Sequence, residues 1–212
     1  MSDSITSLYP VFTPGANDDE FDNESFSGWT AVNSGTQVPT VTETNHVASI
    51  VHPGGGSSAY LWAYMKTYSP SANDYIEMAF RTAGANQNYN RVGLIMANGA
   101  SFSSGSQVVF NMTPSLGNLY VSQYSGYNAD NGVASTVGST FITLGSGVVF
   151  LRLKYEGSNH FRGYTSPDGI SWADITGQVT STLTPTHIGF CLTPYGASVP
   201  YNVSVHYFKQ AA

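Results

Sequence analysis

The sequence predicts an all-β protein, a two-sheet antiparallel jelly-roll β-sandwich. Turn-forming residues recur at roughly ten-residue intervals, and the stretches between them alternate apolar and polar side chains. No amphipathic helix pattern and no internal repeat interrupts this spacing. Short, evenly spaced strands separated by turns are typical of sandwiches and jelly rolls.

The predicted strands follow one another from residue 28 to residue 209. Gly- and Pro-containing turns bound them, for example the Gly54-Gly55-Gly56 run, Ser69-Pro70 and Thr193-Pro194. The strands are predicted at residues 28–33, 46–52, 59–66, 74–82, 90–98, 106–113, 117–124, 148–156, 160–166, 186–193 and 201–209. The polar segment 125–140 is predicted to be a long loop.

Two turns near the C-terminus have specific signatures. Gly157-Ser158 separates two strand patterns, and Gly at the first central position predicts a type II′ hairpin. The following Ser166-Pro167-Asp168-Gly169 stretch predicts a second reversal before Trp172.

Composition indicates one domain and excludes two kinds of partner. The 212 residues carry a formal net charge of -6, and only 9% of them are charged. Residues 1–65 contain acids but no Lys or Arg, and no basic cluster occurs elsewhere, so a nucleic-acid partner is not expected. No apolar run is long enough for membrane insertion.

The N-terminal residues and the lone cysteine indicate a reducing compartment. The first fifteen residues lack the charged start and apolar core of a secretory signal. Cys191 lies in a predicted strand and is expected to be a buried, unreactive thiol without a disulfide partner. We therefore expect synthesis in a cytoplasm.

Five segments resemble, in the correct order, the concanavalin A-like lectin and glucanase sandwiches, in particular the LamG-like modules that accompany bacterial carbohydrate-active enzymes. They are Asp19-Glu20-Phe21-Asp22 with Trp29, Asp74–Met78, Arg91–Met96, His187–Phe190 and Val203–Phe208, joined by the YTSPDGISW turn. The resemblance covers about residues 18–210. It implies the sandwich fold and carbohydrate as the ligand class.

The acidic cluster Asp18, Asp19, Glu20 and Asp22 is a candidate calcium site, because hard cations prefer several oxygen ligands. A solvated turn is the alternative. The resemblance also implies an acid in the closing strand near these residues, but His206 stands at that position. No other cofactor is expected, since the five histidines lack metal-ligand spacing.

The acids do not form a catalytic pattern, so the chain is predicted not to be an enzyme. Glycosidases need two carboxyl groups a few ångströms apart. The resemblance implies that they would come from one strand, but Asp74 and Glu77 are three residues apart and point to opposite faces. No nucleophile motif is present.

Two aromatic surfaces are candidates for binding a glycan or a partner. Alternation places Tyr60, Trp62 and Tyr64 on one strand face, where their rings suit sugars or proteins, although the same rings also suit a sandwich core. The second surface combines Tyr124 and Tyr127 with the loop residues Asn128 and Asp130, a mixture that favours polar recognition.

Residues 1–18 are predicted to form an extended arm before the sandwich at 19–212. The arm has apolar side chains but two prolines that oppose a helix: the apolar residues are Ile5, Leu8, Tyr9, Val11 and Phe12. We expect it to anchor the domain in an assembly, with folding back onto the domain as the alternative.

From a sandwich that is anchored by an arm, we predict a non-catalytic structural or adhesive component of a phage virion. Examples are a capsid decoration, head fibre or tail adhesion protein. Its expected partners are virion proteins, copies of itself in a homo-oligomer, and cell-surface carbohydrate. A free-standing carbohydrate-binding module and a glycan hydrolase or lyase are the alternatives. A cytoplasmic or non-classically released protein is the alternative location.

Overall fold

A computed structural model describes residues 18–19, 21, 26–33, 38–44, 46–53, 61–84, 91–101, 106–113, 118–125, 147–193 and 201–212. Within these ranges the chain forms strands and turns and no helix. The predicted all-β class is therefore confirmed. In the same ranges no helix is long and apolar enough to cross a membrane.

The strands, numbered in chain order, are as follows. They are β1 (Thr30–Asn33), β2 (Thr40–Glu43), β3 (Ala48–His52), β4 (Trp62–Thr67), β5 (Tyr75–Gly84), β6 (Arg91–Ala97), β7 (Ser106–Thr113), β8 (Asn118–Ser125), β9 (Val149–Gly157), β10 (His160–Ser166), β11 (Ala173–Asp174), β12 (Val179–Thr180), β13 (His187–Thr193) and β14 (Tyr201–Ala211). Each predicted strand is present. The short strands β2, β11 and β12 were not predicted, because a two- or four-residue polar segment shows too little alternation.

The strands form two antiparallel sheets. The six-stranded sheet has the order β1-β4-β13-β6-β7-β8, and the eight-stranded sheet has the order β11-β10-β9-β5-β14-β3-β2, with β12 pairing to β10. Every strand pairing is antiparallel, and many neighbours in a sheet are distant in sequence. This is the predicted jelly-roll sandwich.

The core lies between the two sheets. Alternate residues of each strand point inward, so Phe80 and Phe208 of the eight-stranded sheet face Phe110 and Phe190 of the six-stranded sheet, each at most 1% exposed. Burying rings of this size is the main favourable term in folding. The core fixes which face of each strand remains for function.

The outer side of the six-stranded sheet is also apolar and closed. A second buried cluster there contains Leu61, Ala63, Met65, Ile95, Ala97, Val109 and Cys191, each at most 2% exposed. Cys191 is buried, as predicted, and this burial raises the pKa of its thiol.

The β9–β10 hairpin differs from the predicted turn by one residue. Strand β9 extends through Gly157, and the turn consists of Ser158 and Asn159, whose φ values are 49° and 63°. Positive φ at both central residues is the signature of a type I′ turn rather than type II′. Gly157, at φ 84°, takes the irregular position where the register shifts.

The predicted turn after β10 is present, and the carboxylate of Asp168 holds it. Its Oδ1 accepts hydrogen bonds from the N–H groups of Ile170 and Ser171 at 2.8 and 2.7 Å. The Oγ of Ser166 accepts from the N–H of Gly169 at 2.8 Å. Backbone hydrogen bonds, first that of Ser171, lower the pKa of Asp168 to about 2. The turn thereby fixes the loop that contains Trp172.

Candidate functional site

The side chains that point away from the core on the eight-stranded sheet form what we call the outer face. On β5 the residues Ile76, Met78 and Phe80 point inward, so Tyr75 and Glu77 point outward. The other outward residues of the central strands are Ala79, Arg81, Phe150, Arg152, Lys154, Glu156, Arg162, Tyr164, Tyr207 and Lys209. Charged and aromatic residues dominate this face.

One row of register partners crosses five strands of the outer face. Neighbours in this row lie opposite each other across strand pairs, close enough for their side chains to interact. The row, in spatial order, is Lys209, Glu77, Arg152, Tyr164 and Asp174. The sheet register thus gathers residues that are far apart in sequence.

The guanidinium of Arg152 lies between two aromatic rings. Its Cζ is 4.3 Å from the centre of the Tyr75 ring and 4.0 Å from that of the Trp172 ring. Cation–π contacts at such distances are favourable, and arginine is the cation most often found in them. We call Tyr75, Arg152 and Trp172 the Arg152 platform. All three are partly exposed.

The buried carboxylate of Glu77 fixes Arg152 within the platform. Arg152 donates from Nε to Glu77 Oε1 at 2.6 Å and also donates from Nη2 to the same oxygen. Glu77 is only 3% exposed, and burial raises the pKa of its carboxyl although Arg152 and Lys209 act in the opposite direction. A buried acceptor on a fixed strand keeps the guanidinium in one orientation.

The loop between β10 and β11 positions Trp172. The indole packs against a small cluster of buried residues on the outer face, formed by Ala79, Phe150 and Tyr207. Strand β11, which follows directly, is tied to β10 by the Tyr164–Asp174 register. The indole is therefore supported on one side and remains half-buried.

An ion-pair network lies at the β10 edge of the outer face. Arg162 donates from Nε to Glu156 at 2.8 Å and from Nη1 to Asp174 at 2.5 Å. Gln178 donates to the other oxygen of Glu156 at 2.9 Å. The network neutralises Arg162 and secures the β11 edge beside the platform.

The predicted aromatic surface around Trp62 is wrong. Tyr64 and Trp62 do share a face, but that face points into the core, where Trp62 is 2% exposed and Tyr64 stacks on Phe190 with ring centres 6.0 Å apart. Alternation identified which residues share a face but not which face is covered. Trp62 is a core residue, as the alternative interpretation had it.

The structure does not test the predicted roles of the other binding residues. Tyr60, Tyr127, Asn128 and Asp130 lie outside the described residues, and for Tyr124 only the backbone within β8 is described. The arm residues Ile5, Leu8, Tyr9, Val11 and Phe12 also lie outside. Their proposed roles stay predictions.

The described members of the acidic cluster bind protein groups. Asp18 accepts a hydrogen bond from the N–H of Gln210 at 2.6 Å. Asp19 accepts from the N–H of Phe21 at 2.9 Å and the indole N–H of Trp29 at 2.5 Å. Glu20 and Asp22 lie outside the described residues, and within the described ones no group of three metal-binding side chains occurs. The calcium site stays a prediction.

The opposite side of the sandwich offers less to a ligand. Within their described bounds, the strands of the six-stranded sheet contain no Asp or Glu. Asn111 is fully buried there, and its amide atoms have no hydrogen-bond partner among the described residues. Because the described apolar cluster on this side is buried, the outer face of the eight-stranded sheet is the better candidate site.

The sequence analysis missed all three residues of the platform. Alternation in the segments 74–82 and 148–156 shows which residues share a face with Tyr75 and which share a face with Arg152. It does not show that β5 pairs with β9, because these segments are some 75 residues apart in the sequence. The prediction that Asp74 and Glu77 diverge agrees with their different partners, Tyr68 and Arg152.

No family model matches the sequence, and no curated protein is similar enough in sequence to be recognised as a relative. Solved structures, however, share the fold. A laminarinase from Flavobacterium sp. UMI-01 superposes with a TM-score of 0.61 at 13% identity, covering 92% of this chain and 98% of the other. A β-1,3-glucanase from Mycobacterium marinum gives 0.56 at 12% identity, covering 94% and 99%.

A lectin domain shares the fold as well. The exoplasmic/lumenal domain of VIP36, in a form bound to Ca²⁺ and Man3GlcNAc, gives a TM-score of 0.55 at 12% identity, covering 88% of this chain and 84% of the other. At such identities the similarity concerns the fold.

These comparisons overturn the prediction that the chain is not an enzyme. Glucanases and further glycan-cleaving enzymes have this fold, so the fold is compatible with an enzyme. None of the structures named here is described as a virion component, and the predicted virion role has no support from them. The chain has the concanavalin A-like fold of lectins and glucanases.

Proposed function

We propose that the protein recognises carbohydrate on the outer face of its eight-stranded sheet, at the Arg152 platform. The observation that carries this proposal is the guanidinium held between two partly exposed aromatic rings. The indole and phenol rings offer apolar surface to the C–H side of a sugar, while their polar atoms bind at its edge.

The hydrogen-bonding capacity of Arg152 supports the same proposal. A guanidinium has five N–H donors, and Arg152 directs two of them at Glu77. In the described part of the chain no acceptor is assigned to the others. These remaining donors lie beside the two rings, where sugar hydroxyls would accept from them.

Preorganisation favours binding at this place. Arg152 is fixed by Glu77, and Trp172 is fixed by the Asp168 turn and its apolar support. A ligand therefore meets side chains that have already lost most of their rotational freedom, which lowers the entropic cost of binding. That glucanases and a lectin share the fold adds support for carbohydrate as the ligand class.

The test is glycan binding by the Trp172→Ala variant. A glycan array identifies a ligand of the unmodified protein, and isothermal titration calorimetry then compares variants. We expect Trp172→Ala to weaken binding about tenfold or more, in line with losing an aromatic contact of about 1–3 kcal/mol. The control is Ile170→Ala, which removes an exposed side chain (70%) from the same loop. Unchanged affinity of Trp172→Ala would contradict the proposal.

Hydrolysis of a glycan is the second candidate. Burial raises the pKa of Glu77, as a general acid requires, and the nearby negative charge of Asp18 contributes in the same direction. Two carboxyl groups facing one sugar are the requirement for glycoside cleavage. The fold is also that of glucanases.

Reducing-end release from laminarin and other polysaccharides tests this second candidate. Loss of release in both Glu77→Gln and Asp18→Asn, with release retained in the matched variant Glu156→Gln, would support it. No release by the unmodified protein from any polysaccharide that it binds would reject it and leave recognition as the function.

A further inference from the structure

The positive charges of the chain are concentrated on the outer face. Five of the seven Lys and Arg residues lie there: Arg81, Arg152, Lys154, Arg162 and Lys209. Among the described residues, the acids on this face or at its edge are Asp18, Glu77, Glu156 and Asp174. The formal charge of the chain is -6, so this face differs in sign from the rest of the sequence.

Two of these cations have no ion-pair partner among the described carboxylates. The ion pairs in that part of the chain involve Lys66, Arg152 and Arg162, but neither Lys154 nor Arg81. Both side chains are at least partly exposed. Their charges are therefore open to a ligand.

Lys154 lies directly beside the platform. It is the register partner of Tyr75 on one side and of Arg162 on the other. Like charges opposite each other in a sheet are unfavourable. Glu156 and Asp174 both bind Arg162, and Lys154 attracts Glu156 electrostatically without making an ion pair with it.

Arg81 extends the positive surface along β5. It is six residues from Tyr75, which corresponds to about 20 Å along a strand. A ligand that contacts both the platform and Arg81 must therefore be an extended chain rather than a single sugar.

We propose that the ligand of this face is an anionic polysaccharide, with carboxylate or sulfate groups on its sugar units. This inference rests on the proposed function, whose ligand class it narrows. The rings of Tyr75 and Trp172 contact sugar faces, and Lys154 and Arg152 bind an anionic group beside them. Arg81 binds a further anionic group along the chain. The favourable charge complementarity explains why an acidic protein places its few bases together.

Affinity electrophoresis and calorimetry with defined probes test the inference. The probes are polygalacturonate for carboxylate, chondroitin sulfate for sulfate, laminarin as a neutral glycan, and polyglutamate as a polyanion without sugars. We expect at least one acidic glycan to bind about tenfold more tightly than laminarin at low ionic strength. Raising salt from about 0.05 M to 0.5 M should remove most of that preference.

Variants assign the preference to residues. The double variant Arg81→Gln, Lys154→Gln should lose about tenfold in affinity for the acidic glycan and keep its affinity for laminarin. Arg91→Gln, on β6 of the other sheet, removes a positive charge elsewhere and should change neither. Circular dichroism verifies that each variant is folded.

The outcomes separate this inference from the proposed function. Binding of laminarin equal to that of both acidic glycans would overturn the inference and leave carbohydrate recognition standing. Equal binding of polyglutamate and polygalacturonate, unaffected by Trp172→Ala, would also overturn it, because charge alone would then explain binding. Failure of every glycan to bind would overturn both.

Discussion

At the scale of single residues, tryptophan has different roles inside the core and on the outer face. Trp62 is 2% exposed in the core, whereas Trp172 is half-buried against Arg152. Trp29 is also in the core, where its indole N–H donates to Asp19 at 2.5 Å. Trp172 is thus the tryptophan that a ligand on the outer face can reach.

This difference predicts unequal effects of two alanine substitutions on stability. Trp62→Ala should lower the free energy of unfolding by about 3–5 kcal/mol, because it leaves a large cavity between the sheets. Trp172→Ala removes a partly exposed ring and should cost about 1 kcal/mol or less. Urea-unfolding curves measure both values. Equal losses would show that the assignment of the two faces is wrong.

Burial of His206 should make the free energy of unfolding depend on pH. It is 9% exposed, and burial together with the charge of Arg81 lowers its pKa from 6.5 to about 4. The folded state therefore keeps the imidazole neutral, whereas the unfolded chain takes up a proton below about pH 6.5. The contribution of His206 to the free energy of unfolding is fully present above that pH and is lost as the pH falls toward 4.

The expected loss from this group is about 2 kcal/mol between pH 7.5 and pH 5. His206→Gln should remove that part of the loss, measured by urea unfolding at the two pH values. The matched control is His46→Asn, which removes an exposed imidazole. An unchanged pH dependence in His206→Gln would be evidence against a buried neutral imidazole.

At the scale of elements, local sequence predicted the strands well and their connections less well. Alternation and turn residues placed the long strands because every strand buries one face. The central residues of the β9–β10 turn could not be placed, since Gly157, Ser158 and Asn159 all have positive φ and Gly is not the only residue there that adopts it. Two-residue strands such as β11 depend on pairing with β10 and leave no pattern of their own.

The hairpin geometry predicts that Gly157→Ala is destabilising by about 1–2 kcal/mol. The φ of 84° disfavours any side chain, and an added Cβ would lie 2.9 Å from the Cβ of Ala72. Thermal unfolding measures the loss. Gly147→Ala is the matched control, because no atom lies within 4 Å of its Cβ position. A loss no greater than that of the control would mean that the turn differs from the one described.

At the scale of the whole molecule, pairing between distant strands creates the candidate site. The segments that carry Tyr75, Arg152 and Trp172 meet only after the jelly roll forms. The sequence therefore predicted the sandwich, but it placed the binding aromatics on β4, whose ring-bearing face is in the core. Counting acids on one strand likewise did not answer the enzyme question, because glycan-cleaving enzymes share the fold.

Tryptophan fluorescence tests the proposed binding surface most directly. The sequence has three tryptophans, and Trp29 and Trp62 lie in the core, so a ligand on the outer face should change the emission of Trp172 alone. We predict that titration with an oligogalacturonate or laminarihexaose shifts the emission of the unmodified protein and leaves Trp172→Ala unchanged. A shift of equal size in both proteins would contradict recognition at the Arg152 platform.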